Sequence, residues 1–272
     1  MTDEAPHKAV ILARGLGSRM RTRSSSAHLS EEQSRAADQG VKAMISVGRP
    51  FLDHVISALA DAGFTDICLV IGPEHQMIRD YYDAIPKTRV TIGYAIQEEP
   101  RGTADALLAA EAFAGRDRVL VINSDNYYPV EALRALAAQP GSGLVGFDRA
   151  AMVAQSNIPA DRVAAFALVE ADAEGSLIRL VEKPAQDLVD RAGPHGLVSM
   201  NCWLCGPAIF SAARRIPLSP RGEYELPDAV RRAIEDGDPY RVVRAEVGVL
   251  DLSNRDDIEA VAAAFAGREA AL

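Results

Sequence analysis

Val10-Ile11-Leu12-Ala13-Arg14-Gly15-Leu16-Gly17-Ser18-Arg19-Met20 is an apolar run that empties into a glycine-rich turn and ends on a cation. Glycines at 15 and 17 let backbone N–H groups approach an anion with no Cβ in the way, and Arg19 adds a fixed charge with forked donors. The stretch reads as a strand followed by a phosphate-holding loop. Spacing excludes two familiar loops. A dinucleotide fingerprint needs glycine where the chain has Met20, and a P-loop needs a Lys after its glycines, which is absent here. Alone, the loop is also compatible with a tight strand-to-helix turn that needs glycine only for geometry.

The surrounding composition narrows the chemistry. The chain has 272 residues, 48% of them hydrophobic, enough for a sizeable core. No apolar run approaches the roughly 20 residues that span a bilayer, and Met1-Thr2-Asp3-Glu4 is acidic, unlike a secretory leader. A cytoplasmic protein with no membrane association is expected. A net charge of −9 argues against nucleic-acid binding, which needs a basic face. The acid is unevenly spread. Residues 1 to 50 carry eight Lys or Arg against five Asp or Glu, a local +3 around the loop that leaves −12 elsewhere. Such a patch suits a small, highly charged anion such as a nucleoside triphosphate. The three cysteines are too few for a disulfide scaffold, and Cys202-x-x-Cys205 lacks the other ligands of a zinc site. Cys202 and Cys205 are expected to pack as small hydrophobes within a strand, with a redox pair as the alternative.

Outward from the loop, β-rich runs alternate with helical periods. Strands are expected over 8–13, 66–71, 89–95 and 118–122, with helices over 51–62, 74–83 and 103–113 between them. This repeated β-α-β pattern predicts an α/β fold with a doubly wound, mostly parallel sheet. Ligands in such sheets bind beyond the carboxyl ends of the strands, so the loop at 14–21, Gln97 to Gly102 and Asn123 to Asn126 should share one rim. Thr22 to Gly40 has hardly any apolar residue and is expected to be a mobile lid or a short exposed helix. From about Gly143 the pattern turns to strands over 143–147, 163–170, 176–182 and 197–204 without regular crossover helices. They predict a mixed or antiparallel extension over a second substrate. A strand over 247–252 and a helix over 255–265 complete the chain, which reads as one domain of two halves, approximately 1–142 and 143–272.

Two of these strands end in carboxylates, Val119-Leu120-Val121-Ile122-Asn123-Ser124-Asp125 and Val247-Gly248-Val249-Leu250-Asp251. Asp125 and Asp251 are candidate Mg²⁺ ligands, since a hard cation bridging phosphate oxygens needs such oxygens. Each could instead cap the helix that follows it. The lack of an Asp-x-Asp motif near Asp125 weighs against a metal-dependent glycosyltransferase. In Gln97-Glu98-Glu99-Pro100-Arg101-Gly102-Thr103-Ala104, Gln97 is suited to reading a base edge and Gly102 to letting a base lie on the backbone, while Thr103 is a natural helix N-cap. Glu182-Lys183-Pro184 places an acid and a cation after another strand, suited to sugar hydroxyls and a phosphate, or to a plain surface pair.

Taken in order, these pieces resemble the sugar-1-phosphate nucleotidyltransferases, or nucleotide-sugar pyrophosphorylases, from Lys8 to about Ile258. Leu12-Ala13-Arg14-Gly15-Leu16-Gly17-Ser18-Arg19-Met20 is similar to that family's signature loop, and Lys42 with Val47-Gly48-Arg49-Pro50-Phe51-Leu52 to its lysine and G-[KR]-P segment. Gln97-x-x-Pro100-x-Gly102-Thr103-Ala104-x-Ala106 resembles its base-recognition stretch. Asp125 and Asp251 match its metal aspartates, Glu182-Lys183-Pro184 its sugar-phosphate motif, and Asn201, Trp203 and Gly222-Glu223 its sugar pocket. The chain departs from the family pattern at Arg14, where a small residue is usual, and at Ser18, Val41, Val249 and Ser253.

The resemblance implies the Rossmann-like nucleotide-diphospho-sugar transferase fold and a transfer in which a sugar-1-phosphate oxygen attacks the α-phosphorus of a nucleoside triphosphate. UTP or dTTP is favoured, Mg²⁺ is the cofactor, and pyrophosphate leaves. It implies nucleotide contacts from Leu12, Ala13, Arg14, Gly15, Gly17, Ser18, Gln97, Gly102 and Thr103, and sugar-phosphate contacts from Glu182, Lys183, Asn201, Trp203 and Glu223. Arg19, Lys42 and Lys183 become the catalytic cations. An already ionised attacking phosphate needs no general base, in keeping with a site rich in cations and carboxylates. The alternatives are a cytidylyltransferase for a small phosphorylated amine or phosphonate, and a catalytically inactive nucleotide-sugar-binding regulator. A homo-oligomer is compatible with all three.

Overall fold

The computed structural model describes residues 5–15, 17–21 and 29–272. Its strands are β1 (Lys8–Leu12), β2 (Asp66–Ile71), β3 (Thr91–Ile96), β4 (Val119–Asn123), β5 (Asn126–Tyr127), β6 (Ser142–Asp148), β7 (Leu168–Ala171), β8 (Leu177–Val181), β9 (Leu197–Cys205), β10 (Tyr240–Ala245) and β11 (Leu250–Asp251). Nine of them form one sheet whose main path runs β10-β6-β9-β4-β1-β2-β3, with β7 and β8 attached beside β9. β1 pairs in parallel with β2 and β4, and β2 with β3, which is the expected α/β half. β9 is antiparallel to both β4 and β6, and this central reversed strand joins the parallel half to the mixed extension.

Alternation along β1 explains the two layers. Ala9 and Ile11 point into one core and Val10 into the other, as successive side chains in a strand must. The first core takes the helices Phe51–Asp61, Gln76–Ala84, Val130–Ala137 and Asp257–Phe265, and the second takes Thr103–Ala109, Ala208–Ala213 and Leu226–Glu235. The sheet is thus covered on both faces, as the doubly wound reading requires.

The second half departs from expectation in several places, among them short helices at Arg149–Gln155 and Gln186–Ala192 between its strands. Residues 160–164 form a helix opened by Pro159, and the strand begins only at Leu168. Pro159, extended with ψ 150°, stands just before the helix and marks a start that the apolar run alone does not disclose. The expected strand over 247–252 shrinks to Leu250–Asp251, paired with β5. Gly248 explains this: a Cβ there would sit 2.4 Å from the backbone of Gln155, so the segment packs against another chain stretch. β10 was not expected, because the exposed Arg241 and Arg244, one on each face of this edge strand, break the apolar pattern, as charges on edge strands do. Helices 208–213 and 226–235 connect β9 to β10 where none were foreseen.

Of the expected lid, residues 22–28 lie outside the described residues. The remainder is a helix, Glu31–Gln39, with a capping box between Ser30 and Gln33 and a left-handed Gly40 at its end. It is docked, with Ala37 fully buried and Gln33 donating to the Ser46 carbonyl at 2.8 Å. No helix of the described residues is long and apolar enough to cross a membrane.

Candidate active site

At the carboxyl ends of β1 to β4 lies a cleft of about 390 Å³. It gathers Leu12 to Gly15, Gly17 and Arg19 from the loop, Lys42, Gln97, Gly102 and Thr103, Asn123 to Asp125, and Glu223. Segments from Leu12 to Asp125 meet there because parallel strands all point the same way, and a loop after β9 adds Glu223.

The glycine loop is held by packing as well as by ligand needs. Gly17 has φ +60°, and a Cβ there would fall 2.2 Å from the Gly40 carbonyl oxygen. The loop therefore touches the turn that carries Lys42. Around Gly15, by contrast, a Cβ would meet nothing within 4 Å, so its openness faces the cleft. Met20 is fully buried, and Arg255 Nε donates to its carbonyl at 2.8 Å while the same guanidinium pairs with Asp38. Arg255 thereby fastens the loop to the 31–39 helix, a role that no local motif signals. The side chain of Ser18 lies outside the described set.

Lys42 opens a short 3₁₀ turn, and its Nζ donates to Asp125 Oδ2 at 2.8 Å, with both side chains mostly buried. Asp125 itself sits one residue past Ser124, whose N–H donates to Leu12 O at 3.2 Å, so the β4 end is stitched to the β1 end. The expected cation and the expected metal carboxylate are in contact.

Asp251 is placed differently. It is 4% exposed and lies off the cleft, opposite Asn126 in the β5–β11 pairing. Asn126 and Ser253 donate to Oδ1 at 2.9 and 2.8 Å, and Arg162 pairs with Oδ2. Burial raises its acid to about 6, and the charge of nearby Asp125 adds to the rise. The two carboxylates are thus close enough to repel, which suits a shared cation, yet in this state Asp251 already has protein partners on both oxygens. Neither aspartate accepts an N-cap hydrogen bond from the helix that follows it: Pro129 precedes the helix starting at Val130, and Asp256 the one starting at Asp257.

In the base-recognition stretch the N-cap reading of Thr103 is corrected, and Gly102 lines the cleft with a steric demand of its own. Gly102 is the residue before the helix and Thr103 its first turn, so Thr103 is not the cap; its Oγ1 accepts from the Leu226 N–H at 2.8 Å and anchors the 226–235 helix. Gly102 has φ +116° and would place a Cβ 2.4 Å from Tyr224 O, so glycine is required there by the approach of the 219–225 loop. That same approach brings Glu223 to the cleft. Gln97 is buried, and its Nε2 donates to Gly102 O at 3.1 Å and Asp105 Oδ2 at 2.9 Å, leaving its carbonyl oxygen to accept.

On the sugar side, Trp203 does not line a pocket. It is fully buried in the second core and packs edge-on against Tyr240, 6.4 Å between ring centres. β9 is buried on both faces, with Met200, Cys202 and Leu204 in the first core and Trp203 and Cys205 in the second, so residue 203 has no open face to offer. Lys183 and Asn201 are exposed and outside the cleft lining. Among the described residues they are the two non-glycines with positive φ, at 45° and 56°. For Lys183 this is doubly unusual because Pro184 follows it, and proline disfavours compact conformations in the residue before it. Backbone strain of this kind persists where surroundings enforce it, commonly at functional sites. Glu182 keeps an exposed flank, yet desolvation and then the charge of Glu225 raise its carboxyl, and Arg221 opposes the rise. The 182–183 turn therefore faces the loop that carries Glu223. Tyr128, a buried residue that the pattern did not single out, donates to Met200 O at 2.5 Å and pins the bend at 200–201 beside Asn126.

Cys202 and Cys205 are free and buried in β9, and burial raises both thiols, that of Cys205 to about 12. They behave as the expected small hydrophobes.

Residues 8–266 match the family model of nucleotidyl transferases. The chain belongs to the nucleotidyl transferase family. A UTP–glucose-1-phosphate uridylyltransferase, AglF, of Haloferax volcanii is 29% identical over 252 residues, covering 92% of this chain and 93% of the relative. A glucose-1-phosphate thymidylyltransferase of Streptomyces antibioticus is 28% identical over 230 residues, 85% of this chain but 58% of that protein. Among solved structures, a UDP-glucose pyrophosphorylase complexed with UDP-glucose superposes with a TM-score of 0.73 at 17% identity, covering 97% of this chain and 100% of the other. That likeness establishes the fold. The resemblance drawn from the motifs is met at the level of family, enzyme class and architecture.

Proposed function

We propose that this nucleotidyl transferase joins a nucleoside triphosphate, UTP or dTTP, to a hexose-1-phosphate. The sugar phosphate oxygen attacks the α-phosphorus, the bond to the β-phosphate breaks, and pyrophosphate leaves with that electron pair. The observation that carries this reading is the convergence of the glycine loop, Lys42, Gln97 and Asp125 on one cleft. The names of the relatives, which pair UTP or thymidylyl transfer with glucose-1-phosphate, support the choice of substrates. The cleft half of about 1–142 would hold the nucleotide, and 143–272 would cover the sugar phosphate.

Each residue then has a task. The loop backbone and Arg19 take the β- and γ-phosphates, Lys42 neutralises charge developing at the α-phosphate, and Lys183 orients the incoming phosphate. Gln97 offers its carbonyl oxygen to a base N–H, and Glu223 is placed for sugar hydroxyls. Asp125 fits a Mg²⁺ ion, which characteristically takes one or two carboxylates and fills its remaining positions with phosphate oxygens and water. Asp251 would serve as second ligand once Arg162 yields its oxygen. When bound, the metal supplies charge neutralisation across the phosphates.

The test is incubation of the protein with Mg²⁺, each triphosphate and a panel of sugar-1-phosphates, with release of pyrophosphate measured. Turnover with UTP or dTTP and a hexose-1-phosphate is expected. No release from any pair, together with tight binding of a nucleotide sugar, would show a binding protein.

A further inference from the structure

Arg14 stands where the signature loop ordinarily has a small residue, and its surroundings explain what such a large side chain is doing there. It follows β1 directly, and its guanidinium lies across the end of β2: a Cβ on Gly72 would fall 2.5 Å from Arg14 Nε and 2.3 Å from the Glu74 carboxylate. Gly72 is thus the floor beneath the pair, its N–H held by His75 Nδ1 at 3.2 Å. Nε and Nη2 both donate to Glu74, at 3.3 and 3.4 Å. The Arg14 side chain is only 8% exposed, while Glu74 is half open to solvent. The third nitrogen, Nη1, is buried and finds no acceptor among the described residues. A buried donor on a charged group left without a partner is costly, and an unmatched group of this kind calls for an explanation.

Its location identifies the acceptor. Strand order at the rim is β3-β2-β1-β4, so Gln97, Arg14 over Gly72, the glycine loop and Asp125 follow one another along the cleft. Lys42 and Asp125 mark the reacting phosphate on one side of β1, and Arg14 reaches to the other, toward Gln97. A guanidinium already neutralised by Glu74 is a weak magnet for phosphate but keeps a directional donor. Gln97, with its amide N–H groups taken, can only accept. An acceptor and a donor on the same wall match a ring edge with an N–H beside a carbonyl.

We propose that Arg14 is a base-reading residue, its Nη1 donating to a carbonyl oxygen of a uracil or thymine ring while Gln97 accepts the ring N–H. This rests on the nucleotidyltransferase reading above, and the experiment separates the two. Binding of UTP, 2-thio-UTP, 4-thio-UTP and inorganic tripolyphosphate is measured by calorimetry for the wild type, Arg14→Gln and Arg14→Lys, with thermal melting to confirm folding. Sulfur is a poor acceptor, so the wild type should bind one thio analogue several-fold more weakly than UTP. Arg14→Gln should weaken UTP about tenfold and bind UTP and that analogue alike, with tripolyphosphate affinity unchanged. Arg14→Lys, which keeps the charge and the stem but not the fork, should also lose the discrimination, and it stands in if the glutamine variant fails to fold. Unchanged UTP affinity with the thio preference intact in a folded variant would overturn the proposal, as would equal weakening of tripolyphosphate, which would make Arg14 a phosphate ligand. A wild type that binds neither UTP nor dTTP would instead overturn the nucleotidyltransferase reading itself.

Discussion

The two ends of the candidate site are built on different principles. On the nucleotide side, Lys42, Gln97 and Asp125 stand just beyond parallel strands or on a turn braced against them, and all line one cleft. On the sugar side, the antiparallel β9 and the short strand β8 deliver Asn201 and Lys183 on positive-φ bends, exposed and outside that cleft. A parallel sheet gathers its strand ends without special backbone geometry, whereas the mixed extension places its polar residues through local strain. The first arrangement is preformed in one cleft, and the second lies outside it.

The largest expected effects belong to the preformed side. Asp125→Asn should lower the rate of pyrophosphate release by about 10²–10³-fold, the loss typical of removing one electrostatic contact in an active site, with the circular dichroism spectrum retained. Near-normal turnover would break the comparison at its centre. Glycines sharpen it further. Gly17→Ala should cost about 1–3 kcal/mol of stability through its clash with Gly40, read as a lower melting temperature. Gly15→Ala should melt within about 0.5 kcal/mol of the wild type, because nothing surrounds it, and should instead raise the KM for the triphosphate.

On the strained side, Lys183→Ala should raise the KM for the sugar phosphate roughly tenfold or more, the worth of one charge-assisted hydrogen bond, and leave that for the triphosphate nearly alone. An effect confined to the triphosphate would mean that the two halves divide the substrates differently. The smallest expected effect is a pH dependence. Asp251 holds its proton in the folded state up to about 6, above the unfolded carboxyl near 3.9. The folded state thus binds more protons than the unfolded one between those values. The cost of carrying the Asp251 charge therefore grows as pH rises through that window and is complete above it. A divalent cation near the two carboxylates should relieve it, so the rise in melting temperature on adding Mg²⁺ should be greater at pH 7.5 than at pH 5. Equal rises would place the cation away from Asp251.

Much of the nucleotide side was legible because its signals are local. A glycine spacing, a strand ending in Asp125 and a Gln-x-x-Pro-x-Gly run each report their own backbone, and the β-α-β alternation brings them together. Trp203 was misread because nothing in Asn201 or Cys202 discloses that β9 runs between β4 and β6 with cores on both its faces. Thr103 looks like an N-cap from its own segment, but its hydroxyl serves Leu226, 123 residues away. Gly102 likewise answers to Tyr224, and Asp251 to Arg162, contacts that carry no spacing signature.

By itself the sequence determined the family, the parallel half of the sheet and the rim on which the charged residues meet, since periodicity and glycine spacing are properties of short stretches. Only the tertiary structure decided which glycines are steric, which aspartate faces the cleft and what Arg14 pairs with. Those answers depend on pairs of atoms brought within a few ångströms by chain segments that share no local pattern. Arg14 states the division most plainly: its identity was visible as a departure from the loop, and its unmatched Nη1 emerged only when Glu74 and Gly72 were found beside it.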